Sequence, residues 1–111
     1  MQQLLVIKIG GNILDNASAL ESFLSDFASI QQPKILVHGG GKLATELSNK
    51  LGIATQMVDG RRITDADTLQ VVTMTYAGWI NKSVVAKLQA KCCNAIGVSG
   101  ADAKLFPATK R

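Results

Sequence analysis

The chain has 111 residues, 47% of them hydrophobic and 18% charged, which describes one globular domain with its own core and excludes a disordered chain. The formal charge is +4 and the pI about 9.3, yet the lysines are scattered and aromatic residues make up only 5%, so a nucleic-acid partner is not expected. No apolar run is long enough to span a bilayer and no leader pattern precedes the first apolar stretch, so a cytoplasmic protein with no membrane partner is expected.

Leu4-Leu5-Val6-Ile7-Lys8-Ile9 is almost continuously apolar and predicts a central strand buried on both faces. It runs into Gly10-Gly11-Asn12. Lys8 interrupts the run two residues before those glycines. A lysine in a buried strand is costly unless its ammonium reaches an anion or water. It is either a phosphate ligand beside the loop or an edge lysine that snorkels out. Leu20, Phe23, Leu24, Phe27 and Ile30 then recur at helical spacing within residues 16–31, behind Asn16 or Ser18 as cap.

A second strand, 34–37, ends in His38-Gly39-Gly40-Gly41-Lys42. A strand–helix–strand order of this kind implies parallel pairing, so both glycine loops open at one sheet edge, where open α/β sheets bind ligands. Three consecutive glycines cost backbone entropy and let N–H groups press against an anion at a helix N-terminus. The plainer alternative is a tight strand-to-helix turn. The following helix, from Lys42 to about Leu51, stops at Gly52. His38 at a strand end reads as a hydrogen-bonded structural residue.

Residues 55–64 hold Asp59-Gly60 between β-capable runs, a hairpin that directs Arg61 and Arg62 to opposite sides. One arginine can fork onto a carboxylate while the other faces solvent. Thr64-Asp65-Ala66-Asp67 caps a long helix over 66–91 with Leu69, Val72, Thr73, Tyr76, Ile80, Val84, Val85 and Leu88 as its apolar stripe. Gly78 inside it points to close packing, against the domain's own sheet or against another subunit. Tyr76 and Trp79 read as packing residues, and Asn81 as a structural hydrogen-bonding residue. Ala95-Ile96-Gly97-Val98 predicts a further strand, after which the chain trails off. Adjacent Cys92 and Cys93 fit neither a redox pair nor a zinc site and read as inert thiols.

Taken together the motifs resemble those of the acetylglutamate kinases of the amino acid kinase family. The matching pieces are Lys8-Ile9-Gly10-Gly11, Val37-His38-Gly39-Gly40-Gly41, Gly60-Arg61-Arg62-Ile63-Thr64-Asp65, Ala77-Gly78-Trp79-Ile80-Asn81-Lys82 and Gly97-Val98-Ser99-Gly100-Ala101-Asp102. The resemblance implies an α/β fold, a three-layer αβα sandwich around a mainly parallel sheet with a hairpin near 55–64. It covers 1–111 as the N-terminal, acylglutamate-binding lobe, with the C-terminal nucleotide-binding lobe absent. The implied reaction is phosphoryl transfer from ATP, with Mg2+, to the γ-carboxylate of N-acetyl-L-glutamate or a related N-acylglutamate in arginine biosynthesis, with this chain alone inactive.

The resemblance casts Lys8 as the catalytic lysine on the transferring phosphoryl group and Gly10 and Gly11 as the loop against the ATP phosphates. It casts Gly40 and Gly41 as backbone donors to the acyl-amino-acid and phosphoryl oxygens, and Arg62 as the grip on the substrate α-carboxylate. No residue is cast as a metal ligand. A homodimer through the 66–91 helix is implied as well. Without the N-terminal helix of arginine-sensitive relatives, inhibition by arginine is not expected. Ala103 and Lys104 stand where the family usually has glycines, which leaves the conformation of that turn open.

Two rival readings exist. Gly39-x-Gly41-x-x-Ala44 fits a dinucleotide-binding pattern with Asp59 as its acidic residue, although it sits on the second strand and leaves Lys8-Gly10-Gly11 unexplained. A non-catalytic α/β interaction module is the other. A P-loop is excluded because Leu43 follows Lys42.

Overall fold

The computed structural model describes residues 3–54 and 56–110. Two parallel strands, β1 (Leu5–Ile9) and β2 (Lys34–His38), pair with Leu5 opposite Lys34 and Ile9 opposite His38. Between them run a single turn, α1 (Gly11–Leu14), and α2 (Ala17–Ser29). The Asn16 side chain accepts from the Ala19 N–H at 3.0 Å and starts α2 as a cap. At its other end the Lys34 ammonium donates to the carbonyls of Phe27, Ala28 and Ile30 at 2.6, 3.3 and 2.7 Å. That lysine satisfies carbonyls a helix end leaves orphaned.

After β2 come α3 (Leu43–Lys50) and an antiparallel hairpin, β3 (Gln56–Val58) with β4 (Arg61–Ile63). Asp59 and Gly60 have φ of +51° and +75°, the double left-handed conformation of a tight two-residue hairpin turn. The hairpin therefore falls where Asp-Gly placed it, though Thr55 at its edge lies outside the described residues. Asp59 is the first residue of this turn.

The long helical region begins where expected, with the Asp65 carboxylate accepting from the Thr68 N–H at 2.8 Å. Its interior differs from expectation. An α-helix, α4 (Ala66–Val72), passes into a π-helical stretch, Thr73–Ile80, and then into α5 (Asn81–Ala90). The buried positions are Thr68, Val71 and Thr75, then Ile80, Val84 and Leu88. The wider π turn delays the stripe by one residue. Leu69, ahead of that turn, and Trp79 within it are exposed, at 55% and 69%, and Trp79 is not the packing residue the sequence suggested. Gly78 shows no tight approach to the sheet, since an added Cβ would meet only the Thr73 carbonyl, at 3.5 Å.

The core joins Ile9 with Leu20, Leu24 and Phe27 of α2, Ile80 at the end of the π-helical stretch, and Val84 and Leu88 of α5. Both helices therefore cover the sheet face that carries Ile7, Ile9 and Leu36. The opposite face, with Val6, Ile35, Val37 and Lys8, is open; Val6 is 63% exposed. The expectation of a first strand buried on both faces is corrected here, because only one face of this pair meets helices α2 and α5.

Ala95–Val98 is not a strand either. Side chains of the neighbouring helix take its carbonyls: Gln89 Nε2 donates to Ala95 O at 3.2 Å and Lys82 Nζ to Gly97 O at 3.0 Å. A cleft of about 570 Å³ is lined by both β2 and this segment. The mixed α/β class with a parallel sheet stands. No helix among the described residues is long and apolar enough to cross a membrane.

Candidate functional site

Both glycine loops leave the C-terminal ends of β1 and β2, and parallel pairing brings them together. A Cβ placed on Gly11 would stand 3.2 Å from the Gly41 Cα. Glycine at this position lets the two backbones approach without displacing either. Gly41 also has φ of +56°, a conformation side chains rarely adopt. A Cβ on Gly41 would strike the carboxylate of Asp15, and one on Gly40 would land in the ring of Tyr76. Gly10 and Gly39, by contrast, face open space.

The glycine triplet is thus wedged between Asp15, just past α1, and Tyr76 on the π-helical stretch. Asp15 Oδ1 accepts from the Lys42 N–H at 3.2 Å, and the Leu43 N–H turns back to Gly40 O at 3.3 Å. Among the described residues no hydrogen bond within the chain uses the N–H of Gly40 or Gly41. Two backbone donors are left for an outside acceptor at the start of α3, the arrangement an oxyanion requires.

Arg62 on β4 is half-buried while Arg61 is exposed, so strand alternation divides the two arginines as the sequence implied. One Arg62 terminal nitrogen donates to Thr45 Oγ1 at 2.7 Å. Thr45 lies on the first turn of α3, directly after the glycine turn, so this bond carries the hairpin's arginine to the cradle. The Arg62 Nε is out of solvent with no partner, the one such side-chain atom found among the described residues. A guanidinium with an idle Nε–H can take the second oxygen of a planar anion.

Lys8 sits opposite Val37 on the open sheet face and is exposed. Its ammonium makes no hydrogen bond or ion pair among the described residues. The burial cost that singled it out therefore does not operate. What remains is a free cation two residues from the Gly10–Gly11 loop.

The remaining motifs meet behind the cradle. Lys82 Nζ donates to Asn81 Oδ1 at 3.0 Å, which turns the Asn81 amide nitrogen to His38 Nε2 at 3.1 Å. His38 then uses Nδ1–H toward Gly39 O at 2.8 Å. In this chain of bonds Nδ1 faces a carbonyl acceptor and Nε2 an amide donor. His38 and Asn81 are structural, as read from sequence, and they anchor the strand end from which the glycines depart. A Cβ on Gly97 would hit Asn81 Oδ1, so Gly97 presses on the same network. The Asp102 carboxyl is held below its usual range first by the Ser99 N–H and then by the Ser99 hydroxyl. Ala103 and Lys104 adopt φ of +52° and +51°, so this turn takes left-handed geometry even without glycines.

Three participants escaped sequence reasoning: Asp15, Thr45 and the contact of Tyr76 with Gly40. Asp15 had a usable signal as the single acid between a glycine loop and a helix cap. Thr45 had one as the hydroxyl in the first turn of the helix that follows the glycines. Tyr76 had none, because its placement depends on the π-helical stretch.

A family model described as the amino acid kinase family matches residues 3–111. The chain belongs to that family. It is 66% identical over 111 residues to a protein of Cytophaga hutchinsonii named acetylglutamate kinase, covering all of this chain and 42% of that protein. A Phocaeicola vulgatus protein of the same name is 54% identical over 110 residues, with 99% and 43% covered. One from Methanopyrus kandleri is 42% identical over 106 residues, with 96% and 40% covered. The chain thus spans about two fifths of the length of the curated relatives it matches. Among solved structures it resembles smu.665 from Streptococcus mutans UA159, with TM-score 0.67 and 25% identity over 83% of this chain and 38% of that one. It also shares its fold with N-acetylglutamate synthase from Neisseria gonorrhoeae, at TM-score 0.54 and 22% identity over 86% of this chain and 22% of that one.

Proposed function

We propose that this chain supplies the acyl-amino-acid side of an acetylglutamate kinase, whose complete form transfers the γ-phosphoryl group of ATP to the γ-carboxylate of N-acetyl-L-glutamate in arginine biosynthesis. The carboxylate oxygen bonds to the γ-phosphorus as the bond to the ADP oxygen breaks, giving an acyl phosphate and ADP. The supporting observation is the pair of idle N–H groups at Gly40 and Gly41 beside an arginine with an unpartnered Nε. That set suits a ligand with two separate anionic groups.

In this reading Arg62 forks onto the substrate α-carboxylate, with Thr45 steadying its far end. Gly40 and Gly41 donate to the acyl-amino-acid and to the phosphoryl oxygens. Gly10 and Gly11 lie against the ATP phosphates, where open space over Gly10 leaves room for them. Lys8 neutralises charge on the transferring group. Transfer between two anions depends on alignment and charge neutralisation more than on covalent help, and fixed N–H donors supply both without reorganising. Bound ATP supplies the phosphoryl group. Among the described residues no three His, Cys, Asp or Glu side chains gather into a metal cage; Mg2+ would arrive on the ATP phosphates, where it would neutralise part of their charge. The rest of the nucleotide site belongs to the remaining length of the full enzyme, and the 111-residue chain binds substrate without turning it over. A homodimer through the 66–91 region, which exposes Leu69, Met74 and Trp79, is part of the same proposal.

An amide NMR titration of the chain with N-acetyl-L-glutamate, with glutamate and NAD as controls, tests this. Shifts centred on Gly40, Gly41 and Arg62 for the acylated ligand alone are the expected result. A spectrum that answers to NAD and ignores N-acetyl-L-glutamate refutes it.

A further inference from the structure

The Gly39–Lys42 turn is the one part of the cradle that no regular element holds. β2 ends at His38 and α3 starts at Leu43. Its N–H groups are useful only if they point outward together, and Gly41 must hold a left-handed conformation to aim them. Something has to pin that geometry before a ligand arrives, because a turn that orders on binding loses affinity to the ordering.

Asp15 is placed to do this. Its own N–H donates to Gly11 O at 2.7 Å, and the next residue's N–H donates to Ile13 O at 3.2 Å. The Asn16 side chain then caps α2. Asp15 is therefore a fixed point between two helices. From there its Oδ1 accepts the Lys42 N–H, while its carboxylate fills the space a Gly41 side chain would need. The bond ties the loop after β1 to the loop after β2.

The charge makes this arrangement informative. A carboxylate beside a cradle for anions weakens anion binding by repulsion. An acid at this position therefore has to return more through geometry than it costs through charge. Resting on the substrate reading above, we propose that Asp15 is a positioning residue that fixes the glycine turn through Lys42, so that the Gly40 and Gly41 N–H groups face the incoming oxyanion.

Two substitutions separate geometry from charge. Asp15→Asn removes the charge and keeps an oxygen acceptor for the Lys42 N–H. Asp15→Ala removes both. If Asp15 acts only as a charge, the two variants bind N-acetyl-L-glutamate equally, and both bind more tightly than the parent chain. Positioning predicts a split: Asp15→Ala binds about 10-fold more weakly, whereas Asp15→Asn matches or exceeds the parent. Equal affinities for the two variants overturn the proposal.

A second measurement does not need the ligand. Amide hydrogen exchange in the parent chain should be slower at Lys42 than at Gly40 and Gly41. That protection should survive in Asp15→Asn and vanish in Asp15→Ala. Should the parent chain ignore N-acetyl-L-glutamate, the substrate reading fails and exchange at Lys42 still judges the clamp. Lys42 exchange as fast as Gly40 in the parent chain, or protection unaffected by either substitution, overturns it. Should Asp15→Ala not fold, the parent and Asp15→Asn exchange rates decide alone.

Discussion

Placing a methyl group on Gly40 should do more damage than a loop glycine normally permits, and Tyr76 should be the reason. The Gly40 backbone is not left-handed, so Gly40→Ala carries no conformational penalty of that kind. Its Cβ would instead land well inside contact distance of three atoms on one edge of the Tyr76 ring. Carbon atoms rest about 3.5–4.0 Å apart, so the ring or the turn must move by more than an ångström. Overpacking of this size costs roughly 1–3 kcal/mol, and a half-buried ring held on a helix places the value at about 2 kcal/mol. Tyr76→Ala alone loses ring packing of similar worth, about 2 kcal/mol. Together the two are expected to cost well under their sum, with a coupling of about 1–2 kcal/mol, because removing the ring removes the obstacle. Urea unfolding of the four chains, followed by circular dichroism, measures the cycle. Strict additivity would show that Gly40 and Tyr76 do not touch in solution and would refute the wedged-turn account.

Lys34→Met should destabilise the chain by roughly 2 kcal/mol in urea melts, since it strips the ammonium from three carbonyls at the end of α2. The Asp65 carboxyl is held below its ordinary value of 3.8 by the Thr68 backbone N–H first and the Thr68 hydroxyl second. Its contribution to stability is present above that ordinary value and is lost as pH falls through the lower, folded one. Asp65→Asn keeps the capping oxygen, so its urea midpoint should fall less than the parent's between pH 5 and pH 3; equal falls would contradict the assignment. Ala103→Gly should raise stability by about 0.5–1 kcal/mol, because relief of a left-handed alanine outweighs the extra chain entropy of glycine; a lower urea midpoint would argue against that geometry.

What was legible in the sequence was local chemistry. Asn16 and Asp65 announce helix starts, Asp59-Gly60 a hairpin, Gly52 a helix end with φ of +71°, and each does so through one side chain or one dihedral angle. The convergence of the two glycine loops was legible too, because right-handed parallel crossover leaves the strand ends no alternative. Burial was less legible. Val6 reads as core within its strand, and an apolar run reports what a strand can bury, not whether a neighbour arrives to cover it. Ala95–Val98 has strand composition, but its carbonyls go to Gln89 and Lys82, and no composition rule anticipates that competition. At the site, glycines and Arg62 were visible by residue type. The residues that hold them, Asp15 and Thr45, are ordinary polar residues whose roles exist only once the loops meet.

The π-helical stretch is where the helix reading fails, and it is also where the site is supported. Between Thr75 and Ile80 the buried stripe steps by five residues, against three or four elsewhere along the same helix. The added residue lets one helix serve two tasks: Tyr76 reaches under Gly40, and Asn81 reaches His38. Natural chains depart from local regularity chiefly where function repays the cost. Deleting Ala77 tests whether this departure is of that kind. The buried residues on either side would then follow one another at ordinary α spacing, so far-ultraviolet circular dichroism and the urea midpoint should hold or improve. The amides of Gly40 and Gly41 should nevertheless shift, because the ring beneath them is rotated away. A shortened chain that unfolds would show the irregularity to be needed for the core. One that folds with Gly40 and Gly41 unmoved would show that the π turn has nothing to do with the cradle.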